Sequence, residues 1–507
     1  MKKLAKTKTT IFLLLLSIIF ILTSCSPSNL SSSFVSDKKD VGKQVTSKQQ
    51  GNTNQEQTTK DENDQNNGTD QSENIDQPTT PEPTKPAFTF EYPDAVRGIY
   101  VTAHSTGSSR FPSLLSLIDK TELNTMVIDI KDDYGNITFK PDHPAFEPYS
   151  KTIIKDPKQL IKTLEEHKIY PIARIVVFKD SILAKMKPEL SFIDNGSVWK
   201  NGRGESFVNP FLKEVWKHNV EIAKMAVELG FQEIQFDYVR FPEGFEKRDK
   251  TLTYSMGEYK GRKPTKFIEI EKNYQKQLED YNQKLKELQA GYDQLVEEQN
   301  QLKTTQATET EIKKLDEMIT IKEQELKELQ SKKPIGPVFT DRERATQLRV
   351  DAVTDFVTYA KKELEPYNVK VSVDIFGYSA TLPEAPGIGQ NFSKISSNVD
   401  VISSMIYPSH WGPGYFGISK PDLYPYQLVT EYTKKENEVL GKLGDKKPVS
   451  RPWIQDFTAS WLGKGNYKSY GKKEIEEQIK ALKDNGINEF LIWNASNKYT
   501  PNVDYTP

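Results

Sequence analysis

The chain is expected to fold as a (β/α)₈ barrel, with a coiled-coil helical hairpin inserted after the fourth strand and a disordered tether ahead of it. Three observations carry that expectation. From residue 96 onward, eight short apolar runs alternate with amphipathic segments. Between the fourth and fifth runs, apolar residues recur at near-heptad spacing. Residues 26–86 hold almost no large apolar side chain. The expected organisation is therefore a signal peptide over 1–24, a tether over 25–86 and a barrel over 87–507, interrupted by the hairpin over 265–333.

The N-terminus comes first. Lys2, Lys3, Lys6 and Lys8 precede an apolar run from Ile11 to Leu22, which is short for a bilayer span and fits a secretory signal core. It ends in Leu22-Thr23-Ser24-Cys25, which resembles the lipobox of bacterial lipoproteins. That resemblance implies acylation of Cys25 and a lipid anchor at the outer face of the cell membrane. Cys25 is the only cysteine of the 507 residues, so disulfides within the chain and thiolate metal clusters are excluded. The polar segment that follows cannot bury enough surface to offset ordering entropy. As a flexible coil its ends would lie roughly 40–45 Å apart, enough to hold a domain clear of the headgroups.

Strands are expected over 96–104, 125–131, 170–178, 233–241, 369–377, 399–407, 451–457 and 489–495. Runs apolar on both faces suit a parallel sheet covered by helices. Helices are expected over 112–122, 156–168, 210–230, 341–364, 421–440 and 472–486, several of them ending at glycine or asparagine. The competing fold, a doubly wound open sheet, lacks its Gly-rich fingerprint after the first strand. No eighth helix fits between the last strand and Pro507, so a short cap or residues 87–95 must close the barrel there. In the insertion, Phe267, Tyr274, Leu278, Tyr281, Leu285 and Leu288 begin the heptad pattern and Leu315, Ile319 and Leu326 continue it. Such an arm could be a docking site for a protein partner, a lid or a spacer.

The net charge of −2 and the lack of a basic stripe give no sign of a nucleic-acid partner. No Gly-x-Ser-x-Gly elbow and no P-loop is present, which argues against serine hydrolase and NTPase chemistry. The five histidines show no metal-ligand spacing, and no cofactor is expected.

Ionisable residues concentrate at predicted strand ends, where such a barrel builds its catalytic face. Strand alternation puts Gln235, Asp237 and Val239 on one face, and Ser372, Asp374 and Phe376 on another. Adjacent strands lie about 4.7–4.9 Å apart, so Asp237 and Asp374 would approach the roughly 5–5.5 Å carboxyl separation of retaining glycosidases. Asp456 is a third catalytic candidate, although Ile454 shares its face. Asp129, Lys131, Arg174, Tyr238, Arg240 and Gln455 would line the rim, with Arg240 pairing a carboxylate, while Asp132 and Asp133 are expected in solvent. Aromatics crowd the same end. Tyr407, His410, Trp411 and Trp493 are expected to stack on or border a sugar, as is His104 at the end of the first strand.

Val96-Arg97-Gly98-Ile99-Tyr100-Val101-Thr102, Met126 to Asp132, Gln235 to Pro242 and Arg451 to Phe457 resemble a bacterial family of glycosyl hydrolases. That family is a TIM-barrel group of largely unassigned substrate, similar at a distance to the α-amylase superfamily. The resemblance covers roughly residues 94–500 apart from the insertion. It implies an aspartate nucleophile on the fourth strand, Asp237, and a general acid on the fifth, Asp374. The superfamily's acid is usually glutamate, and Gln235 stands where it carries an arginine. The expected function is a cell-surface glycosidase acting on a cell-wall or extracellular polysaccharide. The alternatives are a catalytically silent glycan-binding or scaffolding lipoprotein and a transglycosylase on the same site.

Overall fold

The computed structural model describes residues 90–305 and 307–506. The signal segment, the tether and Cys25 lie outside the described residues. Eight parallel strands form a closed barrel: β1 (Arg97–Val101), β2 (Thr125–Lys131), β3 (Tyr170–Val176), β4 (Glu233–Asp237), β5 (Lys370–Phe376), β6 (Val401–Met405), β7 (Trp453–Gln455) and β8 (Phe490–Trp493). Each pairs with its sequence neighbour, and β8 pairs with β1 to close the ring. Around it run α1 (Phe111–Asp119), α2 (Pro157–Glu166), α3 (Lys213–Leu229), α6 (Asp341–Leu364), the short α7 (Phe392–Ser396), α8 (Pro425–Gly441) and α9 (Lys472–Asp484). Between α3 and α6 the insertion supplies α4 (Thr265–Thr304) and α5 (Glu309–Ser331).

Strand alternation divides the apolar residues into two cores. The larger lies between strands and helices; the smaller fills the lumen with Val96, Tyr100, Val127, Tyr170, Ile172 and Leu491 among others. Gly98 also faces that lumen, where a Cβ would come within 2.7 Å of the Leu491 side chain. A larger residue would not fit there. At the N-terminal end of the barrel the lumen is polar. Arg451 bonds Glu233 at 2.7 Å and Glu489 at 2.8 Å, and the Tyr92 hydroxyl bonds Glu489 and Arg451. Residues ahead of β1 thus seal the bottom.

Closure beyond β8 uses a tail in place of a helix. Asn497 accepts from the Thr102 amide and the Ser105 hydroxyl and donates to the Tyr100 carbonyl. Asp456 accepts from Thr500 through both its amide and its hydroxyl. These bonds fasten the last residues across the gap between β8 and β1.

The inserted helices run in opposite directions, since Gln299 bonds Asp316 and Gly291 faces Lys322. Tyr281, Leu315 and Leu326 are buried between them. At the root, Phe267 stacks on Phe339 at 3.8 Å and the Thr265 amide donates to Asp351 of α6 at 2.8 Å. No helix of the described residues is long and apolar enough to cross a membrane.

Candidate active site

All three inward side chains of β4 are polar: Glu233 at the bottom, Gln235 in the middle bonding Ser403, and Asp237 at the top. β4 and β5 pair in the register Gln235 to Ser372 and Phe236 to Val373, which makes Asp237 and Asp374 the next neighbours across the ladder. Both point into the lumen, where Arg174 meets Asp237 and Trp453 meets Asp374.

Arg174, inward on β3 and almost fully buried, organises the charges. Its Nε and Nη2 donate to Oδ2 of Asp237 at 3.0 and 2.6 Å, and its Nη1 to Asp129 at 2.7 Å. Asp133 lies a further 3.4 Å from Nη1 and pairs with Lys179 at 2.7 Å. A planar fork with donors on two edges suits several carboxylates at once. The guanidinium beside Asp237 thus comes from β3, the adjacent strand. Burial pushes the Asp129 carboxyl up to about 6 against the pull of Arg174, while the Tyr100 hydroxyl donates to it at 2.6 Å. For Asp133 the opposite holds: burial is outweighed by Arg174 and Lys179, which keep it well below the usual carboxylate range.

Asp374 has no cation of its own. Burial, and then the charge of Asp237, push its carboxyl well above the usual range, which favours the protonated form. Its Oδ1 accepts from the Trp453 indole at 2.7 Å. Oδ2 bonds none of the described residues and is not sealed from solvent, which leaves that oxygen to hold the proton. Around the pair, Trp493 stacks on Tyr100 at 4.1 Å and meets Trp453 edge-on at 5.6 Å. Tyr407 also faces inward; burial, then Asp374 and Asp237, raise its phenol.

Several expected rim residues lie elsewhere. β2 bulges between Asp129 and Lys131, which breaks the alternation. Lys131 thereby turns toward α3, where it pairs with Asp180 at 2.6 Å and bonds Asn219 at 2.9 Å, fully buried. The same bulge brings Asp133 back to the site rather than into solvent. Strand β4 stops at Asp237 because Tyr238 adopts φ 52°, a left-handed conformation that turns its amide onto the Asp237 carboxylate. The Tyr238 hydroxyl takes a bond from Lys179 at 3.0 Å. Arg240 pairs with Glu243 rather than with either aspartate, lying between the rings of Tyr238 and Phe376.

Trp411 packs downward against Tyr415 and Tyr432 and belongs to the outer core. Its loop acquires a core from α8, which loop composition does not reveal. Gln455 is consumed by Ser409 and Asp422, and Asp456 by the C-terminal tail. Neither of them reaches the aspartate pair. His104 is exposed on the short helix after β1. His410 is half-buried; its loss of hydration lowers its imidazole to about 4, and it bonds Ser409. Sequence reasoning has Trp453 only as part of the stretch Arg451 to Phe457 and gives it no place in the site. Its bond to Asp374 needs the barrel to close. Among the described residues no group of three or more His, Cys, Asp or Glu side chains could hold a metal ion.

Residues 98–499 match a family model described as "Putative glycosyl hydrolase domain". No curated protein matches the chain. Among solved structures, a hypothetical protein from Ruminiclostridium thermocellum is 36% identical, covering 31% of this chain and 82% of that one, with a TM-score of 0.29. The PgaB (BpsB) glycoside hydrolase domain from Bordetella bronchiseptica is 12% identical over 79% of this chain and 94% of that one, with a TM-score of 0.44. A chitinase from Chromobacterium violaceum is 10% identical over 81% and 96%, with a TM-score of 0.37.

Proposed function

Because the chain belongs to the glycosyl hydrolase domain family whose model it matches, we propose that it cleaves a cell-wall or extracellular polysaccharide at the Asp237 and Asp374 pair. One observation carries the reading. Two carboxyls on adjacent strands occupy opposite environments, one ion-paired to Arg174 and the other without a cation and pushed by burial toward its protonated form. Acid and nucleophile in glycoside hydrolysis need that division.

In this mechanism Asp374 donates the proton on Oδ2 to the leaving glycosidic oxygen as its bond to the anomeric carbon breaks. Asp237, its Oδ2 fixed by Arg174, attacks that carbon through Oδ1 and forms a glycosyl ester. Asp374, now ionised, takes a proton from water, and the resulting hydroxide equivalent releases the sugar and restores both groups. Neighbouring strands stand about 4.7–4.9 Å apart, which supports the retaining course over the wider inverting one. Tyr407, Trp493 and His410 are proposed to border the sugar. The sequence around Cys25 supports a lipid-anchored enzyme at the outer face of the membrane.

The test is reducing-end release from cell-wall and exopolysaccharide glycans by the full chain and by Asp237→Asn and Asp374→Asn. Both variants should fold, bind glycan and lose turnover by at least about a thousandfold. Turnover unchanged in both variants, or no glycan cleaved by the parent chain, would return the protein to a scaffolding role. Trapping with a 2-fluoro glycoside should label Asp237, and release of the inverted anomer would exclude the covalent step.

A further inference from the structure

The loop after β7 carries Trp461, which is 46% exposed although it is the largest apolar side chain type. It is not a loose side chain. Trp461 stacks on Phe457 with centroids 5.9 Å apart and planes 23° from parallel, and His410 meets it edge-on at 6.4 Å. The loop itself is tied down on several sides. The Lys468 amide donates to Asp422 at 3.2 Å, the Tyr470 amide to Thr458 at 3.0 Å, and Lys420 to the Gly465 carbonyl at 2.7 Å. A rigid, solvent-facing indole forgoes apolar burial with nothing in the fold to compensate.

Its position is informative. Phe457 stands 5.8 Å from Tyr407, and Tyr407 shares the lumen cluster with Trp453, the partner of Asp374. Rings therefore lead from the lumen cluster that holds Trp453 out to the surface, and exposure rises along the row from Tyr407 to Trp461. Two ring-to-ring steps, of 5.8 and 5.9 Å, separate Tyr407 from Trp461. Sugar rings present flat C–H faces that stack on such surfaces while their hydroxyls stay in water.

We infer that Trp461, braced by Phe457 and His410, is a binding platform for a polysaccharide segment lying beyond the sugar unit at the Asp237 and Asp374 pair. The inference rests on the glycosidase reading and adds a substrate class to it: polymers long enough to reach the loop after β7, not single glycosides. A chain gripped away from the cleaved bond is positioned by many units, so length governs affinity.

The experiment uses the full chain, in the Asp237→Asn form for binding and the parent form for turnover. The probes are glycan strands released from bacterial cell wall and the disaccharide unit of those strands. Trp461→Ala should weaken binding of the long strands about tenfold, the effect of losing one good stacking contact. Binding and cleavage of the disaccharide should stay within about twofold of the parent, and Trp461→Phe should recover most of the strand affinity. Equal strand affinity in Trp461→Ala and its parent overturns the platform alone and leaves the catalytic pair standing. Equal losses for strands and disaccharide also overturn it, because the ring would then act on the reacting sugar. If Asp237→Asn and the parent bind neither probe, the glycan reading of the site fails, and the platform with it.

Discussion

The indole Nε1 of Trp453 donates to Oδ1 of Asp374 across 2.7 Å, joining β7 to β5 through the lumen. This bond occupies Oδ1 and leaves Oδ2 to the proton that the proposed mechanism needs, and it also favours the ionised form. Replacing Trp453 by Phe removes the donor but keeps a ring. The alkaline limb of the pH profile, which follows deprotonation of Asp374, should move up by roughly half to one unit, the equivalent of one lost hydrogen bond. A limb that stays in place, or moves down, would mean that Trp453 does not tune the acid.

Arg174 holds Asp237 and Asp129 with one planar fork, and a lysine cannot reproduce that geometry. Arg174→Lys should keep the positive charge and the fold yet lower kcat by about a hundredfold, the usual effect of losing a preorganised donor. Steady-state kinetics beside near-UV circular dichroism separate this outcome from simple unfolding. Retention of most activity would show that charge alone suffices.

Burial raises the Asp129 carboxyl from its ordinary value of 3.8 to about 6. A raised folded-state value means that the native chain holds this proton more tightly than the unfolded one. The corresponding stability is full below pH 3.8 and is lost as pH rises through about 6. Urea unfolding between those pH values should show stability falling at this site, and Asp129→Asn should flatten the fall. A fall of the same size in the variant would assign it to other groups.

Lys131 sits in a buried ion pair between barrel and helix layer, remote from the carboxylates of the lumen. Lys131→Met leaves Asp180 charged and unpaired, which should cost about 3–5 kcal/mol of stability. KM should remain unchanged in the variant that still folds at low temperature. A raised KM with native stability would instead return Lys131 to the substrate.

Much of this architecture was legible in the one-dimensional pattern because it rests on period. Runs such as Ile234–Gln235–Phe236–Asp237 alternate large apolar and polar side chains, and in a closed parallel sheet those two sets can only face the helix layer and the lumen. The position of Asp237 above Gln235 and Glu233 follows from that alternation alone. A separate, near-heptad period marks the insertion that becomes two long helices.

Reasoning by period failed where the backbone departed from it. The bulge in β2 sent Lys131 outward and restored Asp133, and the left-handed Tyr238 ended β4 early, freeing Arg240 to find Glu243. Trp411 and Gln455 were placed by neighbours more than twenty residues away in sequence. Local pattern thus determined which strands exist and which faces they turn inward, since both depend on residues a few positions apart. The pairing of β3 with β4 decided that Arg174 would meet Asp237, and closure of the barrel that Trp453 would meet Asp374. Those meetings join residues 63 and 79 positions apart, where no local preference reaches and only the summed geometry of eight strands sets the distance.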